Sequence, residues 1–182
     1  MTRTAAIARA TTETDIEISL DLEGVGAADV ETGIGFFDHM LEAFARHSLI
    51  DLTVRAQGDL HVDGHHTVED TGIVLGQAIL RALGDKRGVR RFGSLALPMD
   101  EALVLAAVDV SGRGQLHWDV AVPPVMIGAF DASLAKEFFI ALAANAGITL
   151  HVRSLAGENA HHVVEASFKA VARALRQAVE PD

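Results

Sequence analysis

The spacing of apolar residues predicts a chain that alternates between strands and helices. Apolar and polar residues alternate over residues 16–22, the period-two pattern of a half-buried strand, and residues 103–110 form a more continuously apolar strand. Apolar residues recur at helical spacing over residues 36–46 and again over residues 133–144. Both halves of the chain therefore combine an early strand with a following helix.

Each half is expected to close in the same way. The closing elements are predicted as β-branched strands at 50–56 and 148–154 and as long helices at 65–83 and 160–179. Gly84 and Pro181 follow the two long helices and are suitable stop signals. The polar residues 84–91 predict a connector between the halves.

The chain is internally duplicated. The stretch HMLEAFARHSLIDLTVR from His39 matches EFFIALAANAGITLHVR from Glu137 at an offset of 98 (153 − 55). DGHHTVED matches NAHHVVEA at an offset of 96 (161 − 65), and Glu13 aligns more weakly with Glu101. These matches predict an α+β fold in one compact unit, with repeats 1–84 and 85–182 and helices packed on one face of each sheet.

Composition narrows the chemistry and the partners. The chain has no cysteine, so a metal ion must be held by imidazole and carboxylate groups. Its formal net charge of −10 and its lack of a basic run disfavour nucleic-acid binding. No apolar stretch is long enough to span a membrane, and residues 1–10 lack the apolar centre of an export signal. We therefore expect a cytoplasmic protein with no nucleic-acid or membrane partner.

Two copies of the motif His-His-x-x-Glu indicate metal binding. His65 and Glu69 are four residues apart at a predicted helix start, so both side chains reach one ion, whereas His66 points about 100° away. The second copy repeats this arrangement, and His39 aligns with Glu137 one helix earlier. The predicted sites are His65, Glu69, His162 and Glu137 for the first, and His161, Glu165, His66 and His39 for the second.

This ligand set suits Mn, Fe, Co or Zn. The sequence leaves open whether the ligands meet within one chain or across a subunit boundary. The alternative is that both motifs are solvated first turns of helices, where the helix dipole favours glutamate.

Other charged residues are weaker signals. Arg91, Arg113 and Lys169 are cations suited to a phosphate or carboxylate, and Glu13 could exchange protons with a substrate. Each of these residues, taken alone, is more often an ordinary surface charge.

Several strings carry a specific family resemblance. GIGFFDHML, DGHHTVEDTGIVLGQAI, VDVSGRG, NAGITLHV and ENAHHVVEASFKAVARAL together resemble imidazoleglycerol-phosphate dehydratase of histidine biosynthesis. The resemblance implies dehydration of imidazole glycerol phosphate to imidazole acetol phosphate through a metal-bound imidazolate. It also implies two Mn²⁺ ions per active site and a duplicated fold similar to the second domain of ribosomal protein S5. The expected homo-oligomer is a 24-mer with active sites at subunit contacts.

The resemblance also implies roles for individual residues. The implied metal ligands are His39, His65, His66, Glu69, His161, His162 and Glu165. The implied substrate-binding residues are Glu13 and His47, with Arg91, Arg113 and Lys169 on the phosphate. Glu13 is expected to be the main acid/base residue, with Glu165 as the alternative. Many family members carry histidine where this chain has Glu137. The internal repeat favours Glu137 as a carboxylate ligand in place of that histidine. The alternative ligand is His151.

Two other functions use similar residues. A two-metal phosphoester hydrolase would release free phosphate, whereas a dehydratase leaves the phosphate on its ketone product. A metal-dependent assembly protein would bind metal normally as Glu13→Gln and lose nothing else, whereas a dehydratase with this change should assemble but be inactive.

Overall fold

The computed structural model describes residues 3–182. Met1 and Thr2 lie outside the described residues, and they begin the segment for which the sequence predicted no export signal. In the first half, the elements are β1 (Thr4–Ala10), β2 (Thr14–Asp21), β3 (Ala28–Glu31), α1 (Gly35–Ser48), β4 (Asp51–Gly58) and α2 (His65–Leu83). In the second half, they are β5 (Phe92–Met99), β6 (Ala102–Asp109), β7 (Gln115–Asp119), β8 (Met126–Ile127), β9 (Phe130–Asp131), α3 (Leu134–Ala146), β10 (Thr149–Ala156) and α4 (Ala160–Val179).

Each half builds its own four-stranded sheet with the same topology. The strand order is β1-β2-β4-β3 in the first sheet and β5-β6-β10-β7 in the second. In both sheets the first three strands in this order are antiparallel, and the last strand runs parallel to its neighbour. The β8–β9 hairpin has no counterpart among the described residues of the first half. The predicted duplicated α+β fold is confirmed.

The helices lie between the two sheets and share one hydrophobic core. Helix α2 packs on β1 and β2, and α4 packs on β5 and β6, while α1 contacts α4 and α2 contacts α3. Alternation along β2 buries Ile16, Ile18 and Leu20 against the helices and leaves the intervening residues exposed. The two halves bury their apolar faces against each other, so neither repeat has a core of its own.

Glycines allow α2 and α3 to approach closely. A Cβ atom on Gly72 would lie 2.6 Å from the backbone oxygen of Phe138, and one on Gly76 would lie 2.7 Å from that of Leu142. The crossing is therefore backbone against backbone, and it fixes the start of α2 relative to the second half.

The predicted elements match the structure, with boundary shifts of one or two residues. The bounds of α2 and α4 agree with the predicted helices, and Gly84 ends α2 with φ +57°. All four outer strands (β1, β3, β5 and β7) and the β8–β9 hairpin escaped prediction. The alternation in β1 and β5 relies largely on alanine, proline and glycine rather than β-branched residues. Among the described residues, no helix is both long and apolar enough to cross a membrane.

Candidate active site

Three of the predicted metal ligands converge where α1 meets α4. The ligand atoms of His39, His161 and Glu165 all lie within 4.8 Å of one another. The Glu165 Oε2 atom is 3.0 Å from His161 Nε2 and 3.6 Å from His39 Nε2. Within residues 3–182, this is the only group of three or more histidine or acidic side chains so arranged. Two imidazoles and one carboxylate fit a divalent transition metal such as Mn²⁺.

Local structure explains why these groups meet. Helix α4 begins at the second His-His-x-x-Glu motif, where the Asn159 side chain accepts a hydrogen bond from the His161 backbone N–H (2.9 Å). The i, i+4 spacing then places His161 and Glu165 on one face. Packing of α1 on α4 brings His39 to that face from the other half of the chain.

A cation holds one oxygen of the carboxylate in this group. Lys169 Nζ lies 2.6 Å from Glu165 Oε1, and the Glu165 side chain is only 7% exposed. Burial would raise the pKa of Glu165, but the bond from Lys169 and the charges of Lys169 and His39 hold it below its usual value. Glu165 is therefore an anion with one oxygen toward Lys169 and the other toward the imidazoles.

Lys169 belongs to a basic cluster with His47 and Arg173. Burial, followed by the positive charges of Lys169 and Arg173, lowers the pKa of His47. His47 is therefore a neutral imidazole at neutral pH beside two cations, an arrangement suited to a phosphate group. At the repeat-related positions (47 + 98 = 145 and 173 − 96 = 77) stand Asn145 and Gln77, which hydrogen bond to each other at 3.4 Å. This basic cluster thus exists in one half only.

The other predicted site is only partly assembled within one chain. His65 Nε2 lies 3.3 Å from Glu69 Oε2, as the helical spacing predicts. Glu137 sits in the first turn of α3 and does not join them in a group of three ligand atoms. The fallback ligand His151 lies on the exposed face of β10, stacked on His117 with ring centroids 4.2 Å apart.

The remaining two motif histidines each meet a carboxylate of their own chain. His66 Nδ1 lies 3.0 Å from Asp59 Oδ2, and His162 Nδ1 lies 2.7 Å from Glu101 Oε2. The bond to Asp59 raises the pKa of His66, and the bond to Glu101 raises that of His162. Backbone N–H groups, first that of Asn159, and the His162 ring lower the pKa of Glu101 to about 2.

Glu13 stands exposed in the β1–β2 turn. Hydrogen bonds with the side chains of Thr12 and Thr11 lower its pKa. Among residues 3–182, no cation lies within salt-bridge distance of Glu13. The carboxylate is held in place by the turn and is open to solvent, as a proton-transfer group needs to be.

A partly buried ion pair ties the hairpin that carries Glu13 to α2. Asp70 Oδ2 accepts a hydrogen bond from Thr14 Oγ1 at 2.5 Å and pairs with Arg9 Nη1 at 2.6 Å. The Asp70 side chain is 13% exposed. The contact fixes Glu13 relative to the first His-His-x-x-Glu motif.

The two predicted phosphate-binding arginines lie at the far end of α4. Arg91 donates its backbone N–H to the oxygen of Ala178, which is 13 residues (178 − 165) beyond Glu165, or about 20 Å along the helix. The Arg91 side chain is paired with Asp109 at 2.8 Å. Arg113 is exposed in the loop after β6. Within one chain, these arginines do not reach the His39, His161 and Glu165 group.

Comparison with known proteins identifies the family. The family model described as imidazoleglycerol-phosphate dehydratase matches residues 32–175. The chain belongs to the imidazoleglycerol-phosphate dehydratase family. A relative of that name from Paracoccus denitrificans (strain Pd 1222) is 64% identical over 99% of this chain and 92% of its own length. Another, from Acidiphilium cryptum (strain JF-5), is 64% identical over 100% of this chain and 93% of its own length.

Solved structures agree with this imidazoleglycerol-phosphate dehydratase assignment. The crystal structure of imidazoleglycerol-phosphate dehydratase from Staphylococcus aureus subsp. aureus N315 has a TM-score of 0.89 and 38% identity, covering 98% of this chain and 99% of that one. The crystal structure of the enzyme from Pyrococcus furiosus in complex with (S)-C348 has a TM-score of 0.85 and 40% identity, covering 97% of this chain and 94% of that one. The resemblance drawn from the sequence strings is therefore confirmed.

Sequence reasoning missed several groups that lie at or beside the candidate site of this imidazoleglycerol-phosphate dehydratase family member. They are the carboxylates of Asp59, Asp70 and Glu101, the guanidinium groups of Arg9 and Arg173, and the hydroxyl of Thr14. Only Glu101 carried a signal, since it aligns with Glu13 in the repeat. The others become visible only when the hairpins and helices are packed together.

Proposed function

We propose that this chain dehydrates imidazole glycerol phosphate to imidazole acetol phosphate and water in histidine biosynthesis. As a member of its family it is a dehydratase, and hence a hydro-lyase. The observation that carries the substrate assignment is the metal-binding group of His39, His161 and Glu165 beside a basic cluster at Lys169. One part suits an imidazole ring and the other suits a phosphate.

We propose two Mn²⁺ ions per active site. The proposed ligands are His39, His65, His66, Glu69, Glu137, His161, His162 and Glu165. Bound metal would act as a Lewis acid that stabilises negative charge on the substrate ring. The native metal is inferred from the family resemblance, since the same donors also suit Fe, Co or Zn.

The protein residues supply binding and proton transfer. His47, Lys169 and Arg173 would bind the phosphate end. Glu165 is tied to Lys169 through Oε1 and would keep Oε2 on the metal side. Glu13 would remove the carbon-bound proton, which is scarcely acidic because no carbonyl is adjacent to it. Glu165 is the weaker candidate for this step, because both of its oxygens are already occupied.

The geometry favours active sites shared between subunits. His66 and His162 lie outside the group of three ligands, and Arg91 lies about 20 Å along α4 from Glu165. A second copy of the chain would supply the missing ligands and the arginines. We propose a 24-mer, as the family resemblance implies, working in the cytoplasm.

The test is turnover of imidazole glycerol phosphate by metal-stripped protein before and after Mn²⁺ is added. We expect a phosphorylated ketone product only with metal, and a loss of at least 100-fold in kcat for Glu13→Gln with metal binding intact. Released inorganic phosphate would instead indicate a hydrolase. Full metal binding without any reaction in wild-type protein would favour an assembly role.

A further inference from the structure

The two repeats hold their second motif histidine in the same way with different carboxylates. The Nδ1 atom of His162 bonds to Glu101, from the two-residue turn between β5 and β6. The Nδ1 atom of His66 bonds to Asp59, from the loop after β4. The repeat-related counterpart of Glu101 is Glu13, so in the first half this contact is made by a residue from a different part of the repeat.

We propose that Glu101 and Asp59 are positioning residues for the metal-ligating histidines, and that Asp59 leaves Glu13 free for proton transfer. The inference rests on the proposed metal sites and adds two residues to them. It assigns different roles to Glu13 and Glu101, although they occupy equivalent turns.

The contacts fix which ring nitrogen can bind metal. When Nδ1–H donates to a carboxylate, the proton is held there and the lone pair is left on Nε2. For His66 the Nε2 atom then faces away from Asp59. The Nε2 atom of His162 has one further neighbour, the exposed Asp100, whose Oδ2 atom lies 3.6 Å away.

Both carboxylates are themselves held. Glu101 Oε1 accepts the backbone N–H groups of Asn159 (2.9 Å) and Glu158 (3.3 Å), so the β5–β6 turn is fastened to the start of α4. Asp59 is constrained by burial: its side chain is only 17% exposed, its backbone oxygen accepts the Val62 N–H, and its second carboxylate oxygen, Oδ1, is buried without a hydrogen-bond partner. Glu101 is therefore held by hydrogen bonds and Asp59 by burial, and each keeps its imidazole in one orientation.

Glu13 lacks each of these features. Its side chain is exposed, and it bonds only to neighbouring threonines in its own turn. Asp59 occupies Nδ1 of His66, so Glu13 is not needed for that contact. The turn positions the Glu13 carboxylate but leaves it open to solvent, as proton transfer requires, whereas a carboxylate that orients a ligand must be committed to that one partner.

The test compares Mn²⁺ binding to the assembled protein for Glu101→Gln, Asp59→Asn and Glu13→Gln by calorimetry and by electron paramagnetic resonance. We expect Glu101→Gln and Asp59→Asn to bind Mn²⁺ about 10- to 100-fold more weakly. Glu13→Gln should bind it as wild type does. Asp85→Asn, which alters an exposed carboxylate in the connector between the halves, is the matched control and should also bind normally.

Unchanged Mn²⁺ affinity in both Glu101→Gln and Asp59→Asn would overturn the inference, as would equal weakening in Glu13→Gln. If Glu101→Gln fails to fold by circular dichroism, Glu101→Asp, which keeps the charge on a shorter stem, decides through the same readout. Because binding is measured without substrate, the outcome stands even if the proposed reaction is not observed.

Discussion

The close crossing of α2 and α3 predicts that Gly76→Ala destabilises the protein. A Cβ at this position would lie 2.7 Å from the Leu142 backbone oxygen and 2.9 Å from the Ala146 backbone nitrogen. Ordinary contact begins at 3.4 Å, so the helices would have to separate by 0.7 Å (3.4 − 2.7). Backbone atoms cannot turn aside as a flexible side chain can, so the strain must be borne by the packing of both repeats.

Two opposing contributions set the size of the effect. Alanine in place of glycine favours a helix by up to ~1 kcal/mol. Overpacking a close helix contact costs roughly 1–3 kcal/mol. Because the added Cβ meets two backbone atoms at 2.7 and 2.9 Å, the cost lies in the upper part of this range, about 2–3 kcal/mol. The net result should be a loss of about 1–2 kcal/mol, and thermal midpoints for chains of this size shift by about 2–4 °C per kcal/mol. We therefore expect the midpoint to fall by about 2–8 °C.

Gly35→Ala is the matched control, because a Cβ at Gly35 in the first turn of α1 has no neighbour within 4 Å. It should leave the midpoint unchanged or raise it. Both variants are compared by circular dichroism at equal protein concentration and metal content, since binding and assembly shift apparent stability. A Gly76→Ala midpoint at or above that of Gly35→Ala would refute the packing argument.

Three further outcomes follow from the site. Asp70→Ala should lower stability by about 2 kcal/mol in urea unfolding, since it leaves partly buried Arg9 unpaired; an unchanged midpoint would mean that the pair is solvated. His161→Ala should reduce bound Mn²⁺ from two to one per chain by metal analysis, and retention of two would exclude His161 as a required ligand. The pKa values of His66 and His162 are raised in the folded chain, so their protonated imidazoles stabilise the metal-free protein below about pH 6.5. This stabilisation is lost as the pH rises through the pKa values of the folded state. In the presence of a chelator, the contribution of these two histidines to the thermal midpoint should therefore decrease above about pH 6.5. Added Mn²⁺ should instead stabilise the protein more as the pH rises, because it displaces the imidazole protons. Stabilisation by metal that does not depend on pH would argue against histidine ligation.

Much of the fold could be predicted because the information is local. Helices α2 and α4 were delimited by apolar spacing and by Gly84 and Pro181, which interrupt a helix through backbone geometry alone. The internal repeat predicted the topology, because a chain that contains one α+β unit twice in sequence should form two similar sheets. Pairs within one helix, such as His65 with Glu69, were equally accessible because a helix fixes the i, i+4 distance.

The sequence alone therefore determined the duplicated α+β architecture, the family and the residue types available for metal binding. The tertiary structure decided which of them meet: His39 joins Glu165 only because α1 packs on α4. It also decided that Glu101 binds His162 while Glu13 stays exposed, although the repeat aligns the two. Such contacts depend on how separate elements are placed relative to one another. That placement is set by packing across both halves, and it produces no periodic pattern in the sequence of either half.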